Sequence, residues 1–404
     1  MIFSLLIFRP ARGWHGLDPY SPRVIAQLWP REAGIPPFLV RESENGTLPA
    51  RRGIPSPYPP TGLPLLVPLA LLPWRSAIVL WIALNVIAFG SILFSTLGLV
   101  QTPLCSRRAA AIVLCALVLA PFHTAIAVGN IVLVVFALGM LACLCLERRS
   151  DVTAGFLLAA AAALKPTIAL PFLIYFVVKG RWRALIVGLA AGLGLFLIAD
   201  LRLRLAGVDW VASYFLNSRR MFASGANNDF TAANHTRFDL LNLQVVVFQI
   251  VRNRALTEIL SVLASLGLLA RWIFRLRWKA DARLYDLGVL AVIFLLPFYH
   301  RFYDSCLLLL PLAWALTQVT TGLRTFARAV LILAIPFMLP GAALLQQGAD
   351  RNLSLHVLAQ SWWWQLLVAP HQVWIILLIA TVLLAAQAKM VEKEAGLVQA
   401  NAAH

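Results

Sequence analysis

The sequence predicts an all-α polytopic membrane protein, and three observations support this. Hydrophobic residues make up 61% of the 404 residues and charged residues 13%, whereas a soluble domain typically has about 45–50% apolar and about 25% charged residues. Many apolar runs approach the ~20 residues that a spanning helix requires. Lysine and arginine cluster in short segments between these runs, as they do in the cytoplasmic loops of membrane proteins.

We predict one integral membrane domain, residues 1–388, followed by a polar cytoplasmic tail, residues 389–404. The net charge of +17 is explained by basic cytoplasmic loops, so membrane lipid is an expected partner and nucleic acid is not. The five cysteines show no metal-ligand spacing, and we expect neither a metal site nor a cofactor. The candidate spans lie near 76–100, 109–123, 130–146, 184–200, 255–270, 286–299, 305–321, 327–345 and 371–388.

Residues 152–178 form an apolar stretch that Lys165-Pro166 divides in two. Proline lacks an amide donor and disfavours a helical residue before it. If every basic cluster is cytoplasmic, including "KGRWR" at 179–183, the chain must cross and return within this stretch. We therefore predict two short segments, with Lys165 near the far side. The long polar loops and "YHRFYD" then face the outside of a bacterial inner membrane.

The stretch "FYHRFYDS", residues 298–305, interrupts two strongly apolar segments with His300, Arg301, Tyr303 and Asp304. One interpretation is an interface cluster of snorkelling side chains and belt tyrosines. The other is a site for an anionic or sugar-bearing ligand, because arginine presents a planar fork that suits phosphate oxygens. Ionisable residues between spans indicate function by default. Four polar residues in five positions favour the second interpretation.

Further candidates lie on the same predicted side of the membrane. Lys165 could snorkel to the interface or bind a lipid-linked phosphate as a point charge. Asp18 could be a turn residue before Pro19 or a general base. Tyr58 lies in the stiff "PSPYPPTG" segment, which could equally be a rigid lead into the next span. The remaining candidate substrate-binding residues offer neutral donors and acceptors for sugar hydroxyls: Asn130, Asn242 and Gln244.

Several motifs together resemble glycosyltransferase family 87. In order, they are "GLDPYSP", "PYPPTGLPLLVPLALLPW" with "LWIALN", "VGNIVLVVFALGMLA", "AGFLLAAAAALKPTIALPFLIYFVVKGRWR", "LLNLQ" and "YHRFYDSCLLLLPL". The resemblance runs from about residue 13 to about residue 320. It implies the type C glycosyltransferase fold, a multi-span helical bundle with extracytoplasmic loops. It also implies a polyprenyl-phosphate-linked hexose donor, typically mannose, and an extracytoplasmic glycan or glycolipid acceptor.

The beginning of the chain departs from the family pattern. Family members usually begin with a full span, followed by an acidic residue in a "D-x-x-x-Y"-like stretch that serves as the catalytic base. Here "MIFSLLIF" supplies only eight apolar residues before Arg9. Asp18 matches the later "G-x-D-P-Y" element, so we carry it over as a substitute candidate for the base. We also expect an upstream in-frame extension long enough for a ~20-residue span.

The resemblance implies that a carboxylate deprotonates an acceptor hydroxyl, which attacks the anomeric carbon with inversion. Lys165 or Arg301 would stabilise the departing phosphate. Two other functions remain open at this point, a lipid-linked sugar transporter or flippase and a non-catalytic cell-envelope assembly protein. A transporter should show repeated halves and a site near the membrane midplane, neither of which this sequence shows.

Overall fold

A computed structural model of the protein describes residues 58–274 and 283–402. Asp18 and the "MIFSLLIF" segment lie outside these residues. Within the described ranges the chain is helical and contains no strand, apart from one isolated antiparallel bridge between Leu240 and Arg301. The predicted all-α class is therefore confirmed.

The helices vary in length from short turns to a helix that runs from His371 to Ala402. The predicted polar tail from residue 389 continues this last helix. The α-helices are Leu63–Ala70, Trp74–Val100, Arg107–Val118, Ala120–Ala127, Val132–Glu147, Asp151–Leu164, Pro166–Val178, Trp182–Leu205, Trp210–Met221, Leu243–Val251, Arg254–Phe274, Arg283–Phe294, Leu309–Gln318, Arg324–Leu333, Gly341–Arg351, Leu353–Ala359 and His371–Ala402. Short 3₁₀ segments cover Pro60–Gly62, Arg237–Asp239, Phe302–Leu308 and Ile335–Met338, and a π-helical turn covers Trp364–Val368.

Among the described residues, four helices are long and apolar enough to cross a membrane. Two further pairs of helices reach that length together, each bent at a short break, by 51° at the first pair and 44° at the second. The number of crossings by length and composition is thus four to six, which fits a multi-pass membrane protein. The four long helices are Trp74–Val100, Trp182–Leu205, Arg254–Phe274 and His371–Glu392; the bent pairs are Arg107–Val118 with Ala120–Ala127, and Arg324–Met338 with Gly341–Arg351.

Three of the predicted spans are shorter than a membrane crossing requires. The runs at 130–146, 286–299 and 305–321 form helices of 16, 12 and 10 residues, against the ~20 that a perpendicular crossing needs. Most of their side chains are buried within the protein. A helix that is apolar on every side is typical of a lipid-facing span and of a core helix alike, so composition overestimated the number of full spans.

The predicted division of residues 152–178 is confirmed. One helix ends at Leu164 and the next begins at Pro166. Lys165 between them has φ −153° and ψ 88°, which is not helical. Its carbonyl accepts hydrogen bonds from the amides of Ile168 and Ala169, at 3.1 and 3.2 Å. Those two amides are therefore not available to a ligand.

The first of two compact units comprises the described residues 58–89, 126–169 and 183–229. Its centre is a hairpin of helices Val132–Glu147 and Asp151–Leu164. Gly155 of this hairpin lies so close to helix Trp182–Leu205 that an added Cβ would be 2.5 Å from the Ala184 carbonyl oxygen. Only glycine permits this approach of two backbones.

The second unit comprises residues 90–125 and 170–182 together with the described residues from 230 onwards. Helices Arg283–Phe294 and Leu309–Gln318 pack against each other at its core. The Tyr285 ring contacts that of Trp314 at 5.3 Å between centroids, and its hydroxyl donates to the Leu383 carbonyl at 2.7 Å. Asp286, in the first turn of helix Arg283–Phe294, forms an ion pair of 2.8 Å with Lys179, which follows helix Pro166–Val178. The turn between the two helices carries the predicted site.

Candidate functional site

The turn at residues 300–304 is built around a buried pair. The side chains of His300 and Asp304 are 1% and 2% exposed, and Nδ1 of the histidine lies 3.2 Å from Oδ2 of the aspartate. The same Oδ2 accepts a hydrogen bond from the Arg301 amide at 3.2 Å. In return, the Asp304 amide donates to the Arg301 carbonyl at 2.8 Å. The carboxylate therefore fixes the backbone from which the Arg301 side chain projects.

The residues of this turn differ in what a ligand can reach. The second ring nitrogen of His300, Nε2, faces the Phe294 carbonyl oxygen at 3.1 Å, so both ring nitrogens are engaged within the protein. Arg301 and Tyr303, by contrast, are partly exposed. The buried pair can position its neighbours, while Arg301 and Tyr303 are the ones that a ligand can contact.

A second segment, residues 240–243, lies directly on this turn. Leu240 forms the isolated bridge with Arg301, and the Leu241 amide donates to the His300 carbonyl at 2.8 Å. Asn242 in this segment is fully buried. Its Oδ1 accepts from the Val245 amide at 3.3 Å, which caps helix Leu243–Val251.

Asn242 and Gln244 therefore differ in accessibility. The Nδ2 of Asn242 donates to the Gln244 Oε1 at 3.0 Å, so both polar ends of the asparagine are used inside the protein. The Gln244 side chain is partly exposed. Of these two predicted substrate-binding residues, Gln244 is the one that a ligand can reach.

Asp239 was not among the predicted site residues. It directly precedes Leu240, whose backbone bridges to Arg301, and its side chain is half-buried. Burial raises the pKa of the Asp239 carboxyl above its usual value, and the positive charge of Arg301 opposes that rise. The available signal was a carboxylate within the polar stretch "NNDFTAANHTRFDLLNLQ". Nothing in that stretch indicates contact with a residue some sixty positions later.

The C-terminal helices hold the loop that carries Asp239. The guanidinium of Arg237 donates to the Asn234 carbonyl at 3.2 Å and to the Gln365 Oε1 at 3.3 Å. The Gln346 amide group donates to the His235 carbonyl. Two helical segments far along the chain thus fix the position of this loop.

An apolar cavity of about 440 Å³ lies among these same C-terminal helices. It is close to the loop, because its lining residue Trp364 adjoins Gln365 and its lining residue Leu345 adjoins Gln346. Its walls are almost entirely hydrocarbon. The lining residues are Pro336, Leu339, Gly341, Leu344, Leu345, Gly348, Leu355, Trp364 and His371.

The remaining candidates that the structure describes lie in the first unit, at one end of its helix hairpin. Lys165 directly follows the second helix and is buried. Tyr58 belongs to the segment whose Thr61 hydroxyl donates to the Ala163 carbonyl at 3.2 Å. Asn130 precedes the first helix, and its Oδ1 accepts from the Val132 amide at 3.0 Å. Because a hairpin brings the start of its first helix to the end of its second, these three residues share one end.

The described residues contain no group of three histidine, cysteine, aspartate or glutamate side chains that could hold a metal ion. The turn at residues 300–304 offers the partly exposed Arg301 and the Tyr303 phenol, and the segment that meets this turn adds the Asp239 carboxylate and the Gln244 amide. A guanidinium binds phosphate or carboxylate oxygens. The other three groups can exchange hydrogen bonds with hydroxyls. The arrangement suits a ligand with one anionic group and several hydroxyls.

The sequence was compared with families of known proteins. The model of glycosyltransferase family 87 matches residues 57–298, which is more than half of the chain. No curated protein and no solved structure matches. The matched range contains Tyr58, Asn130, Lys165 and Asp239 and ends two residues before His300. The chain therefore belongs to glycosyltransferase family 87.

Proposed function

We propose that this membrane glycosyltransferase transfers a hexose, with mannose as the expected sugar, from polyprenyl phosphate to a glycan or glycolipid outside the cytoplasmic membrane. One observation carries the proposal. The partly exposed Arg301 is held by the buried His300–Asp304 pair in a turn between two apolar helices. A charge in apolar surroundings costs free energy unless it is paired, and an ionisable residue between apolar segments of a membrane protein indicates a function by default. A lipid-linked phosphate would supply an anion for Arg301.

A lipid-linked donor also agrees with the apolar cavity next to the Asp239 loop. A polyprenyl chain has no polar groups beyond its phosphate, so it needs an apolar surface beside an anion-binding group. The cavity of about 440 Å³ and the Arg301 turn belong to the same compact unit. A nucleotide-linked sugar would bring a base and a ribose, for which the cavity's hydrocarbon lining offers few hydrogen-bond partners.

In the proposed reaction, a carboxylate takes the proton of an acceptor hydroxyl and the oxygen attacks the anomeric carbon. The bond from that carbon to the phosphate oxygen breaks, and the electron pair leaves with the phosphate. Asp18 is the proposed base. Arg301 is the group proposed to stabilise the charge that develops on the leaving phosphate, and Lys165 is the alternative cation for this role.

The function is tested by supplying membranes that contain the full-length protein with mannose-labelled polyprenyl phosphate. We expect label to move into glycan or glycolipid, and this transfer to depend on Arg301. Movement of intact labelled lipid across the bilayer without transfer would indicate a flippase. If the label stays on the lipid and on its original side, while a deletion strain still shows an envelope defect, the protein is an assembly factor.

The side of the membrane follows from single-cysteine labelling. Exposed positions suit this purpose, so Arg181→Cys and Ser224→Cys are introduced after the exposed Cys105 has been replaced with serine. We expect a membrane-impermeant thiol reagent to label position 224 in intact cells, and position 181 only after the membrane is opened. Labelling of position 181 in intact cells would overturn the proposed orientation.

A further inference from the structure

We propose that Asp239 is a specificity-determining residue that makes the Arg301 site favour a singly charged sugar phosphodiester over a doubly charged phosphomonoester. The inference rests on the proposed function, because it takes Arg301 as the group that binds the donor phosphate. Asp239 would thereby favour binding of the sugar-carrying donor and release of the polyprenyl phosphate product.

The segment that contains Asp239 is fixed against the turn that contains Arg301. The Leu240–Arg301 bridge and the bond from the Leu241 amide to the His300 carbonyl hold the loop of Asp239 against the turn of Arg301. Arg237 also ties this loop to Gln365. The backbone of Asp239 is therefore held next to the turn that carries Arg301. A phosphate bound by Arg301 would lie within the field of this carboxylate.

The charges near Arg301 differ in what they can act on. His300 and Asp304 are bonded to each other and buried. Asp239 and Arg301 are both partly exposed and of opposite charge, and the charge of Arg301 lowers the pKa of the Asp239 carboxyl. Because burial raises the pKa of the Asp239 carboxyl, water solvates this group incompletely. Its charge is therefore screened less than that of a surface carboxylate.

The proposed reaction changes the charge of the phosphate. The donor is a phosphodiester with one negative charge. When the anomeric carbon–oxygen bond breaks, its electron pair stays on the phosphate, which becomes a monoester with a second ionisation near pH 6. Above that pH the product carries two negative charges. A fixed carboxylate beside the cation penalises the second charge more than the first, so it favours donor binding and product release.

The test is direct lipid binding to the purified full-length protein at pH 8, where the monoester is a dianion. The two probes are polyprenyl phosphate and mannosyl-phosphoryl polyprenol. The measured quantity is the Kd for polyprenyl phosphate divided by the Kd for the mannosyl diester. We expect Asp239→Asn to lower this ratio about three- to tenfold, because the variant removes the repulsion between one carboxylate charge and the extra phosphate charge several ångströms away. Asp239→Glu, which keeps the charge, should restore the wild-type ratio.

The control is Asp350→Asn, which removes an exposed carboxylate from helix Gly341–Arg351 in the same unit. It should leave the ratio unchanged. An unchanged ratio in Asp239→Asn, while Arg301→Ala weakens both lipids, would overturn the inference and leave the proposed donor site intact. If Arg301→Ala bound each of the two lipids as tightly as wild type does, the proposed donor site and this inference would both be overturned.

Discussion

Replacing Arg301 with alanine is expected to lower donor use about ten- to a hundredfold per protein molecule. A hydrogen bond to a charged group contributes about 1.5–3 kcal/mol, and about 1.4 kcal/mol is a factor of ten. Alanine at this position keeps the hydrogen bond from the backbone amide to the Asp304 carboxylate. Transfer should therefore fall further than the amount of protein in the membrane. The measurement is transfer from labelled polyprenyl-phosphate mannose in membranes, normalised to protein amount.

Arg301→Lys distinguishes a phosphate ligand from a snorkelling side chain. Lysine keeps the charge but not the planar fork, so only part of the activity should return if Arg301 binds phosphate. A snorkelling arginine would be replaced fully by lysine. The matched control is Arg351→Ala, an exposed arginine at the end of helix Gly341–Arg351, which should transfer like wild type. Wild-type transfer per molecule in Arg301→Ala would end the donor-site interpretation.

Asp304→Ala is expected to lower the free energy of unfolding of the protein by about 2–4 kcal/mol. It leaves the buried His300 ring and the partly buried Arg301 amide without their acceptor, and a buried group left unsatisfied costs about 1–3 kcal/mol. The expected readouts are a lower unfolding temperature in detergent and a reduced level in the membrane. Asp304→Asn keeps an acceptor oxygen and should lose less.

Asp350→Ala serves as the control for Asp304→Ala, because that carboxylate is exposed. Surface substitutions usually stay within about 0.5 kcal/mol of wild type. If Asp304→Ala and Asp350→Ala unfolded at the same temperature, the His300–Asp304 pair would not stabilise the turn. If instead Asp304→Ala were stable but inactive, Asp304 would act on the ligand itself.

Part of the fold follows from local chemistry alone. The break at Lys165-Pro166 was predictable because proline removes an amide donor and restricts its predecessor, wherever the helix packs. The lengths of the apolar helices were not predictable in this way. Helix Arg283–Phe294 looks like a span in composition, yet it has 12 residues and is enclosed by other helices. The hydrophobicity of a side chain indicates that it is removed from water, but it does not indicate whether the side chain contacts lipid or protein.

The candidate site divides along the same line. The turn at residues 300–304 could be found from the sequence, since its charged residues are consecutive and stand out between hydrocarbon segments. The sequence does not reveal which residues of this turn are buried. The burial of His300 and the partial exposure of Arg301 depend on neighbours far along the chain. Asp239 was missed for that reason. It comes near Arg301 only through the backbone bridge from Leu240 to Arg301, residues about sixty positions apart.

The sequence by itself determined the membrane class, the helical fold, the helix break at Lys165 and the polar turn that carries Arg301. These are properties of composition and of neighbouring residues, which act before the chain folds. The tertiary structure alone decided which apolar helices are core, which polar residues are engaged inside the protein, and that the segment of Asp239 meets the turn of Arg301. Those outcomes depend on long-range packing, because burial and electrostatic fields arise only when distant segments meet.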